Sequence, residues 1–197
     1  MNLTERVKNI CISPNSEWPV IEQESTPPAE LATGYLAPLA AIGAVANFVG
    51  GSIIGTTLPF VGTYRQPIAG GVVSAVFMFV LTIAFCFLLG FIINALAPTF
   101  GGRQDSNQAF KVAVYSYTPG LLAGALRVLP ALGALVGLIA GLYGLYLLYL
   151  GLPQLMKAPR DKAVGYTIVI VVCAVVAGVI LGIVSAAFAG AGMMMNR

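Results

Sequence analysis

The chain has 197 residues, of which 58% are hydrophobic and only 9% charged, and its net charge is +3. A soluble domain carries about 25% charged residues, so this composition excludes a water-facing surface over most of the chain. The ten basic residues are scattered, which excludes the basic stripe or patch of a nucleic-acid-binding protein.

Mean hydropathy is +0.91, and lipid is the expected solvent. Residues 1–30 form a polar segment with an amphipathic thread. Leu3, Val7 and Ile10 recur at helical spacing, and Asn2 with Glu5 resembles a capping box. Ser13-Pro14 reads as an N-cap with proline at the first helical position. Trp18, Val20 and Ile21 follow. The pattern predicts a short amphipathic helix lying in the membrane interface, with Trp18 at headgroup depth. No apolar run with a small-residue cleavage site occurs here, so the first apolar helix is expected to stay as an anchor.

Residues 31–192 are expected to form a domain of five transmembrane helices, with 193–197 a short tail. A span needs roughly 20 apolar residues, and Leu31 to Phe60 contains no charge at all. The second span runs from about Ile68 to Ala97, is rich in phenylalanine and is closed by Pro98. The third begins near Ala109, ends near Arg127 and is broken by Pro119-Gly120. Arg127 to Pro130 leaves room only for a tight turn, so the fourth, to about Leu152, returns antiparallel. The fifth runs from about Val164 to Ala189. The fold class is all-α, a polytopic membrane protein.

Glycines one turn apart let helix backbones approach closely in lipid. Gly51 and Gly55, Gly120 and Gly124, Gly133 with Gly137 and Gly141, and Gly178 with Gly182 have this spacing. The three in the fourth helix predict that it is central and tightly packed, within the chain or between chains.

Lys and Arg set orientation. Arg6, Lys8, Arg103, Lys111, Lys157, Arg160 and Lys162 fall on one side of this topology; Arg65, Arg127 and Arg197 fall on the other. Seven against three puts the N-terminus in the cytoplasm and the C-terminus outside, with Lys157, Arg160 and Lys162 the strongest determinants. Lys111 and Arg127 sit at span ends, where they can snorkel.

There is no histidine, which excludes a Ser-His dyad, a histidine zinc site and histidine-ligated haem. No ionisable residue lies in the middle of a span, where proton-coupled carriers and intramembrane aspartyl proteases keep one. Cys11, Cys86 and Cys173 are far apart, with no C-x-x-C. Asp105 and Asp161 come from the two cytoplasmic loops and read as solvated charges. No catalytic residue, metal or cofactor is expected. The candidate polar site is Tyr115, Ser116, Tyr117, Thr118 and Pro119. A proline inside a helix frees a carbonyl, and neighbouring hydroxyls can satisfy it. A broken helix with hydroxyls can also line a substrate or ion path. Tyr143, Tyr146 and Tyr149 form a ladder that reads as an interfacial belt, with a ligand-binding aromatic face as the alternative.

The segment Gly141–Tyr166, GLYGLYLLYLGLPQLMKAPRDKAVGY, resembles prokaryotic Yip1-domain membrane proteins. It pairs a tyrosine-leucine helix end with Leu-Pro, a Met-Lys-x-Pro loop and a following tyrosine helix. Tyr115–Pro119 is similar to the family's third helix, and Pro14, Trp18, Ile21 and Glu24, then Tyr35-Leu36-Ala37-Pro38-Leu39, also fit. The resemblance implies five spans, a cytoplasmic N-terminus and an outer C-terminus. Eukaryotic relatives act in vesicle trafficking with small GTPases through an Asp-Leu-Tyr-Gly-Pro motif, which this chain lacks. Its place is therefore expected to be a bacterial or archaeal cell (inner) membrane. The expected function is a non-enzymatic role in membrane organisation or partner assembly, with lipid, a second copy or another membrane protein as partner. A small transporter or channel using Tyr115–Pro119 is the alternative.

Overall fold

The computed structural model describes residues 2–58, 62–128 and 130–194. Phe60, the end of the expected first span, and Arg197, counted for orientation, lie outside them, as does the side chain of Arg127.

The polar segment folds into two helices, α1 (Leu3–Ile12) and α2 (Pro14–Gln23). Asn2 caps α1 by accepting a bond from the Thr4 N–H at 3.1 Å. Pro14 opens α2 directly after Ser13.

The first apolar rod, α3 (Pro28–Ile54), is continuous but uneven. It contains π-helical turns at Ala32–Leu36 and Val49–Ile54 around a regular stretch, Ala37–Phe48. Pro38 has no N–H to donate, and the wider turn just before it absorbs the defect. The rod does not continue to Phe60. Gly55, at φ 88°, takes a conformation that side chains disfavour and returns its N–H to the Gly50 carbonyl at 2.9 Å. A small antiparallel hairpin follows, β1 (Thr56–Leu58) with β2 (Gly62–Tyr64), in which Thr57 faces Thr63. The β-branched threonines favour this pairing over another helical turn.

Next come α4 (Ile68–Leu96), α5 (Ser106–Gly124), α6 (Pro130–Leu155) and α7 (Arg160–Met194). Pro119 lies inside α5 without ending it. Asp105 caps α5, accepting from the N–H groups of Asn107 and Gln108 at 3.0 Å each. Among the described residues, four helices are long and apolar enough to cross a membrane: Pro28–Ile54, Ile68–Phe100, Leu135–Leu155 and Arg160–Ile183.

The expected third span, α5, is not among these four, and its environment explains why. It is buried almost throughout, from Ala109 to Thr118 except for half-buried Tyr117. It is enclosed by protein, so it tolerates Lys111, Ser116 and Thr118 where a lipid-facing helix would not. The centre of the bundle is therefore α5 rather than the glycine-rich fourth helix. The α6 helix is divided. Leu135, Leu138, Ile139 and Leu142 are exposed, whereas Leu147, Leu148, Leu152 and Leu155 are core.

The glycine seams divide in the same way. A Cβ at Gly137, Gly141, Gly178 or Gly182 would meet nothing within 4 Å among the described residues, although Gly141 and Gly178 border grooves between the helices. Gly133 is half-buried. Gly51 faces the Gln66 side chain, Gly55 terminates α3, and Gly120 faces only Tyr117 of its own helix. Among the expected glycines whose surroundings are described, Gly124 packs on another helix, and a Cβ there would lie 3.4 Å from Gly43 Cα of α3. Other close approaches lie outside that spacing. A Cβ at Gly90 would lie 3.1 Å from Phe110 Cα, and one at Gly144 would lie 2.8 Å from the Ser116 carbonyl.

Candidate functional site

The polar chemistry of the molecule gathers where α1 and α2 sit on the first half of α5. The last carbonyls of a helix have no partner within it and carry partial negative charge. At the end of α2, α5 supplies the missing donors. The Lys111 ammonium donates to the Ile21 carbonyl at 3.0 Å and to the Glu24 carbonyl, and Gln108 Nε2 donates to the Glu22 carbonyl at 3.0 Å. Lys111 and Gln108 are three residues apart, on one face of α5. Lys111 is thus anchored inside the protein instead of snorkelling outward.

Arg6 of α1 completes the arrangement. It is 2% exposed, pairs with both Glu17 and Glu24, and holds its guanidinium 5.7 Å from the centre of the Tyr115 ring. A buried cation is tolerated only when paired and hydrogen-bonded, and two carboxylates satisfy that condition here. Glu22 is held on the other side by Lys157 and Gln154. The Lys157 hydrogen bond is the main reason the Glu22 carboxyl lies below its ordinary value of 4.5. Cys11, half-buried at the end of α1, has its thiol pushed up by burial.

Trp18 does not face outward. It is 2% exposed and stands edge-on to Tyr115, with ring centres 6.4 Å apart. Its benzene edge sits where a Gly151 Cβ would be, 2.8 Å from Cζ2. The first two ladder tyrosines stay together, with the Tyr143 and Tyr146 ring centres 5.8 Å apart. Tyr143 donates to the Cys11 carbonyl at 2.8 Å and ties α6 to α1, while Tyr146 and Tyr149 are exposed.

Tyr115 to Pro119 come together with Tyr35 of the first π turn. Tyr115 is 1% exposed and lies edge-on to Tyr35 at 4.9 Å. Thr118 Oγ1 meets the Tyr35 hydroxyl at 2.9 Å and donates to the Val114 carbonyl at 3.3 Å. Tyr117 tilts against Phe85. Ser116 Oγ is buried with no hydrogen-bond partner among the described residues. Ser116 and Tyr117 border a groove of about 280 Å³ whose other walls, including Leu89, Leu145 and Val171, are apolar.

Six of the seven charges counted for the N-terminal side gather around α2 and the start of α7. Arg6, Lys111 and Lys157 converge on α2, and the Arg103 N–H reaches the Met156 carbonyl at 2.7 Å beside the loop that leads to Arg160 and Lys162. Arg65 is at the hairpin, donating to the Ile54 carbonyl at 3.3 Å. Asp105 serves as a helix cap, and no cluster of potential metal ligands occurs among the described residues.

The sequence reading missed the Arg6–Glu17–Glu24–Lys111 cluster. The signal was present: Arg6 lies on the same helical stripe as Leu3, Val7 and Ile10, a position that buries it with them.

Helices of this length and hydropathy make the protein a multi-pass helical membrane protein. The Yip1 domain matches residues 8–183, from within α1 to within α7, so the chain belongs to the Yip1 domain family. No curated protein and no solved structure matches it at a significant level.

Proposed function

We propose that this protein is a five-span, non-enzymatic membrane scaffold, in which α5 is the third span and α1 with α2 form a plug over its cytoplasmic end. The observation that carries this reading is how the hydroxyls of α5 beside Pro119 are used. Thr118 is engaged by Tyr35 and by the Val114 carbonyl, and Tyr115 is covered by Trp18 and Tyr35. These groups tie α5 to its neighbours around Pro119, and the polar surface they would give to a path is consumed. Enclosure of α5 by its neighbours supports counting it as a span. The gathering of Arg6, Lys111, Lys157 and Arg103 at one end supports a cytoplasmic N-terminus and an outer C-terminus in a bacterial or archaeal cell membrane. The exposed leucines of α6, with Gly137 and Gly182, supply a face for a second copy or another membrane protein.

Photo-crosslinkers at Leu138 and Leu142 test the scaffold reading in cells. A specific crosslinked product is expected from that face. If neither self-association nor a reproducible partner is captured, the scaffold reading fails.

One observation favours the alternative, a transporter or channel. Ser116 Oγ lacks a partner and lies beside the groove between α5, α6 and α7. The check is solute and ion flux in liposomes, with Ser116→Ala and Tyr117→Phe as variants. Flux that both variants reduce would replace the scaffold reading.

A further inference from the structure

A second cavity, of about 570 Å³, opens where the polar segment meets the ends of two spans. Asn15 and Trp18 of α2, Tyr149, Pro153 and Gln154 of α6, and Arg160 at the start of α7 border it. The spans Leu135–Leu155 and Arg160–Ile183 end and begin here, so the cavity lies at the boundary between apolar and polar parts of the molecule.

Its electrostatics are one-sided. Arg160 is the only charged residue in its wall, and it makes no ion pair with a described residue. Lys157, nearby, is already neutralised by Glu22. Asn15 and Tyr149 add an amide and a hydroxyl that are exposed and unpartnered among the described residues. The Trp18 indole Nε1, in the same wall, is buried without an acceptor. The 35-residue helix α7 begins at Arg160, so its positive end adds to the same field. A guanidinium, several donors without acceptors and no carboxylate wall describe an anion site, and guanidinium geometry suits phosphate oxygens.

We propose that this cavity binds a phosphate group, carried by an anionic phospholipid or free in solution. The site is distinct from the Tyr115–Pro119 segment and stands whether or not the protein is a scaffold.

Trp18 is the only tryptophan in the chain, so its emission reports on the cavity wall. The full chain in phosphatidylcholine nanodiscs is titrated with phosphatidylglycerol in one arm and with inorganic phosphate in the other. Saturable change with phosphatidylglycerol assigns a lipid source; saturable change with inorganic phosphate assigns a soluble one. Arg160→Gln is expected to weaken the response about tenfold, as loss of a charge-assisted contact does. Asn15→Ala, a milder change on the opposite wall, is expected to weaken it about threefold and covers the case in which Arg160→Gln does not fold. Lys162→Gln removes the same charge from the same first turn of α7 but outside the cavity lining, and is expected to leave binding unchanged. No saturable response in either arm overturns the proposal. So does a Lys162→Gln loss equal to that of Arg160→Gln, which would mean diffuse surface attraction.

Discussion

Arg6 shows how a single side chain can hold a membrane protein's polar edge together. Its guanidinium is shared between carboxylates from α2 and from the segment after it, and it overlies Tyr115 of α5. Removing one partner of such a cluster leaves the others buried and unpaired, a cost of about 3–5 kcal/mol. Arg6→Ala is therefore expected to lower the melting temperature in detergent sharply, and Arg6→Met combined with Glu17→Gln less so. Equal melting temperatures for Arg6→Ala and wild type would refute a stabilising cluster. Gly151 is a second critical residue because the Trp18 ring occupies the space its side chain would need. Gly151→Ala must displace the ring, which overpacking data put at about 1–3 kcal/mol. A shift in Trp18 emission together with a lower melting temperature is the expected result. Neither residue is conspicuous in the sequence by type. Arg6 was legible only as a charge to be counted, and Gly151 carries no glycine four residues away to mark it.

Helices are the scale at which the sequence reads best. The apolar runs, Pro98 and Pro130 all mark real boundaries, and Pro14 opens α2 as its position predicts. What fails is the inference from spacing to contact. Glycines one turn apart on α6 and α7 make no close approach to another described helix, because periodicity defines a face but not the neighbour that covers it. The end of α3 is misplaced for a related reason: an uncharged run of residues does not reveal that Gly55 turns the chain into a hairpin. The break expected at Pro119-Gly120 is absent, since α5 runs through it, but the polar character of Tyr115–Pro119 was legible. Its closure by Tyr35 and Trp18 was not, since those partners are 83 and 97 positions away from Thr118 and Tyr115, respectively. The α2 helix itself is held to the bundle partly by Glu22, whose carboxyl is lowered by Lys157. A depressed carboxyl contributes stability above its unfolded value, and this is lost as pH falls through the lower folded value. Amide hydrogen exchange in α2 is thus expected to stay slow above the usual carboxylate range and to accelerate selectively below 4.5. Protection that holds unchanged between about pH 6 and about pH 3 would remove Glu22 as a tether.

For the whole molecule, the architecture is a polar cap clamped on a helical bundle whose most polar long helix is its centre. Composition gave the solvent, and charge asymmetry gave one end its character. Neither identified the enclosed helix, because hydropathy measures fitness for lipid and α5 is shielded from it. The cap also imposes an order of events. The N-terminal helices emerge first, yet Lys111 lies 90 positions beyond Ile21, and Tyr143 lies 132 beyond Cys11. Contacts this distant in sequence form late. During synthesis the cap must therefore remain undocked while most of the bundle is inserted. Nascent chains arrested before Pro98 are expected to be cut readily by protease between α1 and α2, and chains extended beyond Tyr166 to resist. The cap can therefore settle only once α5 and α6 are in place beneath it.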